Sequence, residues 1–249
     1  MIFRIIARLD IKPPNLVKGI HLEGFRKIGS PAEFAERYFE DGIDEIIYQD
    51  IVASLYGRNT LTELISQTAK NIFIPLSVGG GIKNLNDAET LIRSGCDKVV
   101  LNTAAVLNPK VISEISEVLG AQAVVLGIEA IKRGSSWLVM TNSGREHTGK
   151  KVTDWIKEVD QLGIGEIMLT SIDFEGTEKG FDFNLYETAR LLTSKSLIAH
   201  GGAGSVHDIV KIAKIGINGV AISSVLHKER FLVSEIKHEL LKNGISIRK

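Results

Sequence analysis

Ile74-Pro75-Leu76-Ser77-Val78-Gly79-Gly80-Gly81 decides the fold, because its pattern returns 122 residues later as Leu197-Ile198-Ala199-His200-Gly201-Gly202-Ala203-Gly204. Each copy is a short apolar run closing in glycines. A helix-like stretch ending at glycine follows, and then a second apolar run that closes in small polar residues. Those closings are Asn102-Thr103-Ala104 and Ser223-Ser224-Val225, with Asn102 and Ser224 again 122 apart. Two such turns half a chain apart predict a duplicated half-barrel, with repeats at about 1–122 and 123–249 of a single domain. They also predict two phosphate cradles, since glycine lets backbone amides approach a phosphate and hydroxyls or helix N-termini complete the site.

Outward from these turns, short apolar runs alternate with helical-period segments, the pattern of repeated βα units. Strands are predicted near Arg4–Leu9, Glu45–Gln49, Ile74–Val78, Lys98–Asn102, Ala123–Ile128, Glu166–Ser171, Leu197–His200 and Gly219–Ser223. Several are apolar on both faces, as expected where a barrel interior and outer helices cover the same strand. Ser30-Pro31-Ala32-Glu33 reads as a capping box with proline at the first helical position. Further helices are predicted from Asn108-Pro109 to Gly120, over Asp154–Leu162 and over Val206–Ile215. Gly42, Gly120, Gly163 and Gly216 supply left-handed caps. The reading is an α/β chain folded as one (β/α)8 barrel. An open doubly wound sheet is the rival, and the internal repeat favours the closed form.

The 249 residues are 44% apolar and 24% charged, as in an ordinary globular protein. Thirty basic and thirty acidic residues cancel, so composition argues against nucleic acid or a membrane surface as partner. One cysteine, Cys96, rules out an internal disulfide and fits a reducing, cytoplasmic setting. No run approaches the roughly 18 apolar residues a bilayer requires. The six histidines show no ligand spacing, so neither metal nor cofactor is expected. Cys96 and His227 read as packed residues.

In a (β/α)8 barrel the site forms at the C-terminal strand ends. The candidates there are Asp10, Asp50, Gly79–Gly81, Asn102, Thr103, Glu129, Ser171, Asp173, Gly201, Gly202, Ser223 and Ser224. Asp10, Asp50 and Glu129 would ring one mouth. Asp10 and Glu129 fall on strands that face each other, where opposed carboxylates act as general acid and base if their surroundings separate their pKa values. The plainer alternative is that each holds loop amides, a common use of aspartate at a turn. At the opposite rim Arg4, Glu45, Lys98 and Glu166 each begin a strand, a placement that suggests a closed ring of alternating charge.

These residues resemble the cyclase subunit of imidazole glycerol phosphate synthase, the barrel partner of a glutaminase in histidine biosynthesis. The likeness rests on Leu9-Asp10-Ile11-Lys12, Val17-Lys18-Gly19, Asp50-Ile51-Val52-Ala53-Ser54, Val78-Gly79-Gly80-Gly81-Ile82, Asn102-Thr103-Ala104-Ala105, Leu169-Thr170-Ser171-Ile172-Asp173, Glu175-Gly176-Thr177 and Gly201-Gly202-Ala203-Gly204. The resemblance implies Asp10 as a catalytic aspartate and Lys18 as a loop lysine reaching over the substrate. It implies one phosphate site at Gly81, Asn102 and Thr103 and another at Gly176, Gly202 and Ser224; Asp50, Thr170, Asp173 and Ser223 are read as further substrate contacts, and His200, beside the phosphate glycines, as a titratable donor that the family lacks. Arg4, Glu45, Lys98 and Glu166 match a gate through which ammonia from the glutaminase, docked on the N-terminal face, enters the barrel.

The chain also departs from that family. Glu129 stands where the second catalytic residue is aspartate, Glu175 where aspartate is usual, His200 where serine is usual and Arg8 where cysteine is usual. Strand alternation places Arg8 on Asp10's side. Lys18–Gly24 and Leu55–Asn59 resemble a paralogous branch that supplies ammonia for amidation of acetamido groups on surface-polysaccharide sugars. Three functions follow from the resemblance: an ammonia-dependent lyase of histidine biosynthesis, the sugar-amidation paralogue, and a non-catalytic ammonia conduit and scaffold.

Overall fold

The computed structural model describes residues 2–53 and 61–248, so Ser54 and the Leu55–Asn59 run lie outside the described residues. Among the described residues twelve strands occur in chain order. They are β1 (Arg4–Lys12), β2 (Asn15–Ile20), β3 (Glu23–Gly29), β4 (Glu45–Asp50), β5 (Leu76–Gly79), β6 (Lys98–Leu101), β7 (Val124–Arg133), β8 (Ser136–Thr141), β9 (Glu146–Lys151), β10 (Glu166–Ser171), β11 (Ser196–His200) and β12 (Gly219–Ile222). Eight of them, β1, β4, β5, β6, β7, β10, β11 and β12, pair in parallel, and the β7–β10 pairing closes the cylinder. This is the (β/α)8 barrel expected from the sequence, and the eight strands match the eight expected runs to within two residues at most ends. Helices between the strands pack their apolar faces on the outside, around Ile5, Ala7, Leu9 and Ile11 of β1 and their counterparts.

Gly42, Gly120, Gly163 and Gly216 have φ of 85°, 85°, 86° and 86°, the left-handed caps that return the chain to a strand. The Ser30 capping box does not form. The residue is extended at the N-cap position, but its side chain makes no cap hydrogen bond, so Pro31 alone marks the start of helix Pro31–Glu40. The helix expected over Asp154–Leu162 runs instead over Val152–Val159.

Four strands were not expected. β2 and β3 form an antiparallel hairpin that continues β1, and β8 and β9 form another that continues β7. Lys18 therefore sits on a strand rather than in a loop. The hairpins rise from the first and fifth barrel strands, on opposite sides of the mouth.

Inside the barrel, successive inward positions of β1, β4, β6 and β10 form levels two residues apart, as a strand period of two requires. Arg4, Glu45, Lys98 and Glu166 make the lowest level. Ile6, Ile47, Val100 and Met168 lie above, joined by Val125, Ile198 and Ala221 in a buried apolar cluster separate from the outer core. Arg8, Gln49, Asn102 and Thr170 come next and face a cleft.

Candidate active site

The cleft opens at the C-terminal strand ends and encloses about 430 Å³. Glu129 and Arg8 flank it, Gly80, Gly81, Asn102 and Thr103 line one side, and Val100 and Met168 form part of its floor. A smaller recess beside it is lined by Gly176, His200, Gly201, Gly202, Ser223 and Ser224. Both glycine turns thus open on the same rim. Gly80 and Gly202 have φ of 107° and 105°, a region that L side chains rarely adopt. A Cβ at Gly80 would strike the Asp50 backbone, and one at Gly202 would strike the Gly180 carbonyl.

Register sets the chemistry at the mouth. Thr170 of β10 is paired with Glu129 of β7 on one side and His200 of β11 on the other, which puts three polar side chains at one height. The Glu129 carboxylate accepts a hydrogen bond from Gly144 N at 2.8 Å. Burial disfavours its charged form more than Arg8, the Gly144 amide and the Asn102 side chain favour it, so its pKa is pushed up from 4.5 to about 7. Among the titratable groups, that places Glu129 where a proton can be given and taken near neutrality.

Asp10 is different. It is fully buried and lines neither the cleft nor the recess. Its Oδ1 accepts from Arg8 Nε at 3.0 Å and its Oδ2 from Lys18 Nζ at 3.4 Å. Burial opposes its charge, but these two cations prevail and hold it below the usual carboxylate range. Lys18 also binds Glu175, whose other oxygen accepts from Leu22 N at 3.1 Å. The β2–β3 hairpin is thereby strapped over the end of β10. Arg8 shares Asp10's side, as strand alternation required, and its guanidinium reaches across to Thr170 and His200 at 3.3 and 3.1 Å.

The other expected residues divide. Asp50 faces the cleft, yet its Oδ1 accepts from Val52 N and Ala53 N at 2.9 Å, the plainer loop-holding use. Asp173 likewise accepts from Lys132 N at 2.7 Å. Thr103 Oγ1 accepts from Asn142 N, and Ser223 Oγ donates to the Arg8 carbonyl. Gly176 borders the recess while packing on Gly19 of the hairpin. Gln49, Lys83, Asn142 and Ser143 line the cleft and were not expected. The Asn142-Ser143-Gly144 turn, with φ of 53°, 57° and 78°, was a legible hairpin signal for two of them. Cys96 and His227 are packed as expected. Cys96 is buried, and Tyr38 Oη meets His227 Nδ1 at 2.6 Å.

At the far end, Arg4 pairs with Glu45 at 2.6 Å and Glu166 at 2.8 Å, and Lys98 pairs with the same two glutamates at 3.3 Å. The four strand-start charges close a ring.

The family model for histidine biosynthesis proteins matches residues 4–232. The chain belongs to the histidine biosynthesis protein family. A histidine biosynthesis relative from Legionella pneumophila, imidazole glycerol phosphate synthase subunit HisF, is 54% identical over 206 residues, 82% of this chain and 97% of the relative. Proteins of the same name from Thermococcus onnurineus and Dictyoglomus thermophilum are 43% and 44% identical, each across 98% of this chain and 97% and 98% of their own length. No helix among the described residues of this family member is long and apolar enough to cross a membrane.

Proposed function

We propose that the chain is the cyclase subunit of an imidazole glycerol phosphate synthase. It takes ammonia from a glutaminase partner and, as a lyase, converts a bis-phosphorylated formimino-aminoimidazole carboxamide ribotide to imidazole glycerol phosphate and the aminoimidazole carboxamide ribotide. The observation that carries this reading is the pair of glycine recesses opening on one rim, with Glu129 in the cleft between them. Gly81, Asn102 and Thr103 receive one phosphate, and Gly176, Gly202, Ser224 and His200 the other. Glu129, with its pKa near neutrality, moves the proton. Asp10, held by Arg8 and Lys18, supplies a fixed negative charge.

The charged ring and the apolar level above it support entry of the nitrogen source from below. Ammonium would lose its hydration at Ile6, Ile47, Val100 and Met168 without a counter-charge, whereas neutral ammonia crosses at little cost. Ile2, Phe73 and Leu191 are 55%, 77% and 87% exposed and each precedes a barrel strand, an apolar surface around the ring suited to a glutaminase.

The covering of Asp10 by Arg8 and Lys18 favours a second reading, the paralogue that passes ammonia on for amidation of a surface-polysaccharide sugar. One experiment separates the two. The protein is given ammonium at high pH with the bis-phosphorylated ribotide. Turnover that disappears in Glu129→Gln supports the cyclase. Absence of turnover in the unaltered protein transfers the assignment to the paralogue.

A further inference from the structure

We propose that Arg8 is a positioning residue that fixes His200 as an Nε2–H donor to the phosphoryl group held in the second recess. This rests on the reading of that recess as a phosphate cradle. His200 Nδ1 lies 3.1 Å from Arg8 Nη1 and 3.1 Å from Thr170 Oγ1. A guanidinium has five donors and no acceptor, so Nδ1 can only present its lone pair to it. The ring proton must then reside on Nε2. A proton added at Nδ1 could be accepted by Thr170 Oγ1 but would stand against the guanidinium 3.1 Å away, so contact geometry favours the Nε2–H tautomer.

The two edges of the ring face different compartments. Arg8 and Thr170 line the cleft, whereas His200 itself lines the recess with Gly201, Gly202, Ser223 and Ser224. His200 is only 2% exposed, and its Nε2 has no hydrogen-bond partner among the described residues. His200 lines the recess, where an Nε2–H has no protein acceptor among those residues, and a phosphoryl oxygen, which accepts only, is the partner such a donor takes.

Arg8 is itself held at two points. Its Nε donates to Asp10 at 3.0 Å, its carbonyl accepts from Ser223 Oγ at 2.7 Å, and Asp10 is fixed in turn by Lys18. A chain of contacts therefore runs from the β2–β3 hairpin through Lys18, Asp10, Arg8 and His200 to the recess. It gives buried Asp10 a task that needs no contact with substrate: it orients the arginine that sets the histidine.

Ring-nitrogen NMR of the full chain labelled at histidine tests this, with inorganic phosphate as the probe. The unaltered protein should show His200 with Nδ1 unprotonated and Nε2 protonated, and the Nε2–H signal should shift as phosphate is added. Arg8→Met should mix the tautomers and weaken phosphate binding by about 10-fold, the low end for one hydrogen bond to a charged group, since part of the ring population keeps its Nε2–H. Arg8→Lys, which keeps a cationic donor with no acceptor, should restore the tautomer in part. A protonated Nδ1 in the unaltered protein, or an Nε2–H signal unmoved by saturating phosphate, overturns the proposal. So does an Arg8→Met protein with both tautomer and phosphate affinity unchanged. Loss of the cyclase reading looks different: no ammonia-dependent turnover, with the phosphate-induced shift of His200 intact.

Discussion

Replacing Glu129 by glutamine should make the protein more stable, and by an amount that depends on pH. The native state holds the Glu129 proton up to about pH 7, whereas the ordinary value is 4.5. Between those values the native state binds more protons than the unfolded chain, so stability falls as pH rises. Below the window both states are protonated and the residue contributes no penalty. Above it the native carboxylate is charged and buried, and the gap corresponds to about 3 kcal/mol at about 1.4 kcal/mol per pH unit. Glutamine keeps an oxygen for Gly144 N and never ionises. Urea unfolding of both proteins at about pH 4 and about pH 9 isolates the effect, since every other titrating group cancels in the difference. Near-equal midpoints are expected at the acid end, and a variant stabilised by about 2–3 kcal/mol at the alkaline end, with unchanged slope. A stability difference of the same size at both pH values would falsify the assignment of a raised pKa to Glu129, and with it the basis for its proton-transfer role.

Arg4→Met leaves Glu45 and Glu166 sharing Lys98, and should cost about 1–3 kcal/mol in urea unfolding, less than a fully buried pair because the ring is partly hydrated. In the same variant, turnover driven by added ammonium should survive better than turnover driven by glutamine through the partner; equal losses would argue against entry through the ring. Gly80→Ala should cost at least about 1 kcal/mol and weaken phosphate binding, because its φ of 107° is strained for alanine and the Cβ meets Asp50. Gly24→Ala, with φ of 63° but open space around its Cβ, should lose only the roughly 1 kcal/mol of a left-handed alanine and bind phosphate normally. The Cys96 thiol, buried and pushed up to about 12 by loss of solvation, should resist alkylation at neutral pH until the protein unfolds.

The barrel was legible because each of its strands is a short apolar run between glycine-marked helix ends, a pattern that burial on both faces imposes. The ring was legible for a related reason: Arg4, Glu45, Lys98 and Glu166 all sit at strand starts, where a period of two fixes their direction. The hairpins were not, apart from the turn residues Asn142-Ser143-Gly144. Glu23–Gly29 and Glu146–Lys151 are mostly exposed, so backbone pairing holds them and no apolar stripe betrays them. The shared face of Arg8 and Asp10 followed from alternation alone. The concealment of Asp10 did not, because it requires Lys18 to be carried inward by one of those hairpins and held by Glu175, contacts between segments 157 residues apart. Asp50 and Asp173 show the same limit, since sequence gives an aspartate at a turn without saying whether an amide or a ligand takes its oxygens.

The stacked levels inside the barrel make it a bilayer in miniature: an ionic surface, a hydrocarbon slab, then a wet compartment, built from the same four strands two residues apart. A slab of this kind sorts solutes by hydration energy and needs no shape-matched filter. On the proposed reading, the same rungs that turn back ions and protons let uncharged ammonia partition through. On that reading the two ends of the cylinder keep different protonation conditions while exchanging a neutral solute.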